Sequence, residues 1–370
     1  MSRATPSAPI ALTVRGVTTR AVSVPLNFAL GTSVTIIRSV PLLLVDLLTE
    51  EGFVGHAYLF SYTPAGAKSI SLLLAEAVDL VKGQPVNPSA IYHGLVRRLA
   101  LLGVTGPVRM AISALDIALW DAAAKAAGLP LVEMLGASRR PARAYDSRGL
   151  GLMAPEKLAG EAEALLRKGM SALKLRLGYP TLEQDVTALR AVRGRIPPEI
   201  QVMVDYNQAL TAAEAIRRGL AVQDEGIAWL EEPIRHDDYR GNAEIARTLD
   251  VPLQIGENFN GPEAMVEALA AHACDYVMPD VGRIGGVTGW MQAAALASAR
   301  GIEMSSHLMP EVSVHLLAAT PTAHWLEYVD WADAILVEPM QVVDGAVAPS
   351  ARPGLGIAWD EAKLRGLSEL

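Results

Sequence analysis

Seven residues that can hold a cation, carry a charge or move a proton recur at near-regular spacing from residue 174 of this 370-residue chain onward. They are Lys174, Asp205, Glu231, Glu257, Asp280, His307 and Glu327, separated by 31, 26, 26, 23, 27 and 20 residues. Each closes a short apolar run: SALKLRL, IQVMVDY, IAWLEEP, PLQIGEN, DYVMPD, IEMSSH and HWLEYVD. One charge after a strand is often only the polar start of a loop. Seven in succession, one strand-helix unit apart, are hard to obtain that way.

Asp205, Glu231 and Glu257 end three adjacent runs. Converging carboxylates repel unless a cation neutralises them. An all-oxygen donor set with no nearby Cys favours a hard ion, and Mg²⁺ first among them. Such an ion can bind a substrate carboxylate and stabilise the charge that develops when the neighbouring carbon loses its proton. Lys174 on the next strand adds a second positive charge. Asp280 beside His307 can fix the imidazole tautomer and support its protonated form, which suits a general base. The other six histidines lack this context and are read as structural. Glu327, if buried among carboxylates, stays protonated and donates to a substrate carboxylate. Asn207 can reach a substrate hydroxyl or carboxylate, or hold its loop. Glu232 is structural or supports the ligands.

The elements that must position these groups follow from hydrophobic periodicity. Residues 13–62 read as strands with a Thr-Glu-Glu-Gly hairpin turn. Helical spacing follows at about 65–83, 88–101 and 106–127. From about residue 142, apolar runs alternate with amphipathic helices near 181–193, 211–225, 241–249, 261–273, 285–300 and 311–319. With ARAYDSRG in front, eight strands are expected. That predicts a closed parallel barrel behind an α+β unit, with every strand-ending residue at one mouth. The Gly/Pro-rich tail packs back on the N-terminal unit. The expected boundaries are 1–135 for the α+β unit, 136–339 for the barrel and 340–370 for the tail.

Composition narrows the function classes. The net charge is −8 and no run of Lys and Arg exists, so a nucleic-acid or anionic-membrane footprint is not expected. Half of the residues, 51%, are hydrophobic against 19% charged, enough for a large core with apolar surface left for subunit contacts. Cys274 is the single cysteine and reads as a small apolar residue. The N-terminal MSRATPSAPIALTVRG lacks a signal-peptide core, and no run reaches membrane-spanning length. The expectation is a soluble cytoplasmic protein.

The strings AVSVPL, GHAYLFSYTP, AYDS, LGYP, MVDYNQ, EEP, GEN, MPD…IGGVTGW, MSSHL and LLAATPTAHWLE run over nearly the whole chain. In them the chain resembles the enolase superfamily, within it the mandelate racemase group. The resemblance implies an α+β capping domain over a (β/α)₇β modified TIM barrel, a homo-oligomer (an octamer among the options) and a small carboxylate substrate. It implies Mg²⁺ held by Asp205, Glu231 and Glu257, a His307–Asp280 base, Glu327 as the acid and Lys174 on the substrate carboxylate. Ser147 and Asn207 line the site. Leu30, Ile37 and Tyr62 match apolar positions around the substrate side chain, on a cap loop near 27–38.

Three positions depart from the group's pattern. Its second strand carries Lys-x-Lys, the second lysine being the base on the face opposite the histidine. Here Arg176 stands there, and deprotonating a guanidinium with a pKa of about 12.5 costs roughly 7 kcal/mol at neutral pH. Arg38 and Arg148 replace a glycine and a histidine, and would clamp a more polar acid. Racemisation or epimerisation of an aryl or similar 2-hydroxy acid is therefore weighed against dehydration of an acid sugar with His307 as the one base. A catalytically inactive ligand-binding barrel is the alternative of another class, and a Schiff-base aldolase through Lys174 a weaker enzymatic one.

Overall fold

The computed structural model describes residues 11–32, 35–166 and 169–370. Three antiparallel strands open the chain: β1 (Val14–Gly31), β2 (Ile36–Thr49) and β3 (Val54–Phe60). The expected turn joins β2 to β3, with Thr49 N–H donating to the Phe53 carbonyl at 3.1 Å. Most of the 27–38 loop is strand instead. β1 and β2 continue as a ribbon to Leu30↔Ile37 and Gly31↔Ile36, and Ser33 and Val34 at its tip lie outside the described residues, as do residues 1–10.

Helices α1 (Pro64–Asp79), α2 (Pro88–Arg98), α3 (Gly106–Ala127) and the short α4 (Leu131–Met134) follow. Thr63 and Asn87 cap the first two, each accepting a backbone N–H before a proline in the first turn. Fourteen residues of α3 are buried, consistent with a helix apolar on most of its surface that packs between the strands and the barrel.

The barrel strands are β4 (Ala142–Asp146), β5 (Ala172–Arg176), β6 (Gln201–Asp205), β7 (Leu230–Glu231), β8 (Leu253–Ile255), β9 (Tyr276–Val277) and β10 (Leu326–Tyr328), parallel and in the order β10-β4-β5-β6-β7-β8-β9. Met304 bridges Val277 on one side and Ala323 on the other, so the segment before His307 supplies the eighth stave. Between these strands run α5 (Pro155–Leu165), α6 (Leu182–Arg193), α7 (Ala212–Gln223), α8 (Tyr239–Thr248), α9 (Pro262–Ala270), α10 (Val281–Ile284), α11 (Gly286–Arg300) and α12 (Pro310–Ala318). The pattern is a (β/α)₇β barrel with a capping domain. α5 is not among the helices expected from periodicity; its N-cap is Ala154, with no side-chain cap.

The tail adds β11 (Ala346–Val347) against β4, α13 (Glu361–Leu364) and β12 (Ser368–Glu369), which pairs with β1 at Val22↔Glu369. Among the described residues no helix is long and apolar enough to cross a membrane.

Two contacts fasten the cap ribbon over the barrel mouth. Leu152 N–H donates to the Gly31 carbonyl at 2.9 Å. The backbones approach so closely that a Cβ on Gly151 would lie 2.2 Å from the Gly31 nitrogen, so only glycine fits there. Arg148 makes the second joint. Its guanidinium donates to Asp146 at 2.6 Å and to Asp330 at 3.1 Å, and lies over the Phe28 ring at 5.5 Å. Asp330 in turn accepts from Asn27 at 3.0 Å. Arg148 is thus consumed in bracing β1 against the barrel, which corrects its reading as a substrate clamp. Removing one partner from such a buried pair costs about 3–5 kcal/mol.

Candidate active site

The strand-ending residues converge at one mouth. Asp205, Glu231 and Glu257 each place a carboxylate oxygen within 4.8 Å of the others. Asp205 and Glu231 end neighbouring staves in register, and both are buried. Asn207 sits at φ 45° and turns back on Asp205. Its backbone and side-chain N–H groups donate to the two Asp205 oxygens at 2.7 and 3.0 Å. Its Oδ1 is buried without a partner. From below, Trp229 Nε1 donates to Glu231 at 3.0 Å. Glu232 turns the other way, accepting from Asn258 at 2.8 Å and from Gly256 N–H at 3.4 Å. It holds the Glu257 loop.

Among the described residues, Lys174 is the one ammonium at the centre of this group, 1% exposed. Its Nζ lies 2.5 Å from Glu231, 2.7 Å from Glu327 and 3.5 Å from Asp205. Burial opposes its charge, but the Glu231 and Glu327 carboxylates outweigh it and hold the pKa well above the ordinary lysine value. A permanent ammonium leaves the Schiff-base reading without a neutral amine.

His307 Nδ1 lies 2.8 Å from Asp280 Oδ2, which makes Nδ1 the donor to that carboxylate and leaves Nε2 as the nitrogen that gains or loses a proton at the mouth. Asp280 is itself fixed, because its Oδ1 accepts the Gly282 N–H at 2.7 Å as the cap of α10. His307 Nε2 is 3.2 Å from Glu257 and 4.0 Å from Glu327. Burial pushes the imidazole pKa down, but Glu257, Glu327 and Asp280 together raise it to about 9.

Glu327 differs from the sequence expectation. Burial favours its neutral form, yet Lys174, His307 and the Ser147 hydroxyl, donating at 2.6 Å, hold it well below the usual carboxylate range. Leu308 N–H adds a third donor, after Lys174 and Ser147, at 2.8 Å. Lys174 and Ser147 stand beside it where the sequence suggested carboxylates alone, and in the metal-free protein they favour its ionised form.

Arg176 binds backbone. Its Nη1 donates to the Ser147 and Gly149 carbonyls at 2.8 Å each, and its Nη2 to Ser147 Oγ at 2.7 Å. Arg38 is exposed on β2 and forms no ion pair among the described residues. Leu30 is buried and Ile37 partly so at the ribbon end. Tyr62, at φ 63° and 42% exposed, stacks on Phe60 with ring centroids 4.1 Å apart.

Arg283 was missed by the sequence reading. It lies in α10, the helix that Asp280 caps, with its guanidinium 4.6 Å from the Tyr62 ring centroid and 2.7 Å from Asn258 Oδ1. Its place three residues after a strand-ending Asp was the available signal.

The two halves of the chain match two family models. Residues 14–136 match the mandelate racemase / muconate lactonizing enzyme N-terminal domain, and residues 157–363 the enolase C-terminal domain-like family. The chain belongs to the enolase superfamily, in its mandelate racemase group. It is 33% identical over 331 residues to an L-talarate/galactarate dehydratase of Salmonella typhimurium, covering 89% of this chain and 83% of the relative. An enolase of alpha proteobacterium bal199, solved with bound magnesium, superposes with a TM-score of 0.94 at 42% identity, covering 96% of this chain and all of the other. A Bradyrhizobium enolase complexed with magnesium and mandelic acid does so at 0.93 and 38%, covering 98% of this chain and 99% of the other.

The donor set of this superfamily member fits Mg²⁺: three carboxylates, all oxygen, two of them buried, with Lys174 alone too little to neutralise them. Burial first, then Asp205, Glu327 and Glu257 against the opposing pull of Lys174, raises the Glu231 pKa to about 7. Protons therefore compete with the metal, and Mg²⁺ affinity should fall as pH drops below about 7.

A first prediction concerns His307. In metal-free protein its imidazole NMR signals should titrate near 9, and Mg²⁺ should move that midpoint down by compensating Glu257. A raised folded pKa stabilises the metal-free fold below about 6.5, the unfolded value, and that contribution is lost as pH rises through about 9. A midpoint unmoved by Mg²⁺ would place the ion away from Glu257.

Proposed function

We propose that the protein abstracts the α-proton of a 2-hydroxycarboxylate in a Mg²⁺-dependent reaction, with His307 as the base. The observation that carries this is the ordered line Asp280–His307–Glu257: an imidazole held by Asp280 through Nδ1, whose Nε2 lies 3.2 Å from a carboxylate of the candidate metal set. Mg²⁺, held by Asp205, Glu231 and Glu257, supplies positive charge against the substrate carboxylate and the negative charge that builds as the α-C–H bond breaks. Lys174 adds its ammonium to the same side. Glu327, with Ser147 behind it, takes the acid's place facing the substrate carboxylate after receiving a proton. Asn207 Oδ1 takes a hydroxyl.

Of the two ways to finish, the geometry favours dehydration over the racemisation or epimerisation that overall likeness suggests. Arg176 spends its terminal nitrogens on two carbonyls and a hydroxyl, so the face opposite His307 has no competent base. With one base, Nε2 takes the α-proton and the C–H electrons form the Cα–Cβ double bond as the β-hydroxyl leaves. His307 returns its proton to that group as water, and the enol becomes a 2-keto-3-deoxy acid. Arg283, beside Tyr62 and Asn258, supplies a cationic group suited to an acid sugar. The racemase reading keeps its support in the apolar Leu30 and Ile37 at the end of the cap ribbon and in the overall likeness to the neighbour complexed with mandelic acid. Part of the same proposal are the division into cap (1–135, with the tail 340–370) and barrel (136–339), and a cytoplasmic homo-oligomer.

The experiment is proton exchange in D₂O with Mg²⁺ across a library of 2-hydroxy acids, each enantiomer followed by NMR. Exchange at one configuration, or formation of a 2-keto-3-deoxy acid, is expected. Inversion with exchange on both faces would establish the racemase instead, and no exchange at all would leave only a binding protein. The Arg176→Lys variant should gain at least tenfold in any racemisation, because an amine can lose a proton there. A sharp fall would show that Arg176 serves catalysis as it stands.

A further inference from the structure

A second built cavity lies away from the barrel mouth, between α12 and the tail. It measures about 410 Å³ and is lined chiefly by Val314, Leu336, Met340 and Ile357, with Glu311 and His315 among them. That volume is within the roughly 300–1,000 Å³ of small-molecule sites. Glu311 and His315 stand four residues apart on one face of α12, 7% and 0% exposed. Neither is fully satisfied. Tyr58 donates to Glu311 Oε2 at 2.5 Å, while Oε1 is buried with no partner. Val132 N–H donates to His315 Nδ1 at 3.3 Å, which assigns the ring hydrogen to Nε2; Nε2 is buried with the Leu355 carbonyl as its neighbour, outside good hydrogen-bond geometry. A buried polar atom left unpaired costs about 1–3 kcal/mol, so two lining one cavity point to something that completes them.

We propose that this cavity is a second, non-catalytic site for a small, neutral, mainly apolar molecule bearing one hydroxyl or carboxamide. The charge state of the pair selects that chemistry. Burial holds His315 neutral, its pKa pushed down to about 4 with the Leu355 carbonyl opposing, so Nε2–H is a fixed donor. Burial pushes Glu311 up to about 7, the Tyr58 hydroxyl pulling the other way, so Oε1 is a donor or an acceptor near neutral pH. A group that both donates and accepts answers both states. An ammonium would face the Nε2–H donor without an acceptor there, and a hydrocarbon would leave both polar atoms bare.

The test is ligand-observed NMR on the full-length Mg²⁺-loaded protein, with benzyl alcohol and toluene as probes. Ala348, exposed at the cavity edge, becomes Trp in a plugging variant that touches none of the catalytic residues. Benzyl alcohol should bind with a millimolar or tighter Kd, at least tenfold better than toluene, and Ala348→Trp should weaken it at least tenfold. No binding at 10-fold that concentration overturns the proposal. Equal binding of toluene overturns it as well, since Glu311 and His315 would then recognise nothing. Binding that survives Ala348→Trp assigns the probe to the barrel mouth and overturns it too.

Discussion

Glu257→Gln should weaken Mg²⁺ binding by about 100-fold or more and lower turnover by about 10³-fold. Loss of an outer partner of a metal ligand alone costs roughly 10–100-fold, and here a ligand itself loses its charge. Glu257 is the cleanest of the three to change. Gln keeps an oxygen for the Asn258 N–H that Glu257 accepts at 3.1 Å, so the loop has no reason to move. Asp205→Asn, by contrast, would turn an amide toward the two Asn207 donors. Titration calorimetry with Mg²⁺ and the D₂O exchange rate check the two halves separately. Full activity with unchanged affinity would remove Glu257 from the metal set.

His307→Asn should cut α-proton exchange by about 10⁴-fold, the upper range for loss of a general base, with Mg²⁺ affinity within a few-fold of wild type. Asp280→Asn tests the same unit from behind. Asparagine can still accept the Gly282 N–H and cap α10, but its amide cannot accept from His307 Nδ1 and so favours the wrong tautomer. A loss of about 10²-fold or more in exchange is expected, with the fold intact by circular dichroism. Exchange that persists in His307→Asn would transfer the base to another group.

The site was largely legible because a barrel repeats. One strand and one helix consume about 25 residues, so chemistry-bearing groups at that spacing must meet at one end. The metal set, Lys174, His307 and Asp280 all came from that arithmetic and from the resemblance. What sequence could not supply was direction and partner. Arg148 follows β4 and Arg176 ends β5, the strand that carries Lys174, yet one spends its charge on Asp146 and Asp330 and the other on carbonyls and a hydroxyl. Glu327 carried no sign that Lys174 would lie 2.7 Å away and keep it ionised. α5 lacked a capping side chain, and the stave before His307 pairs only through isolated bridges, so both fall short of the usual signals. Glu311 and His315 sit inside a helix with no strand end to announce them, and only the folded tail makes them face a cavity.

The most direct trial is a crystal structure with Mg²⁺ and a 2-hydroxy acid bound. One oxygen each from Asp205, Glu231 and Glu257 should lie about 2.1 Å from the ion. His307 Nε2 should then be the nearest base to the substrate α-carbon. An ion lodged elsewhere, or an α-carbon turned away from His307, would contradict the account.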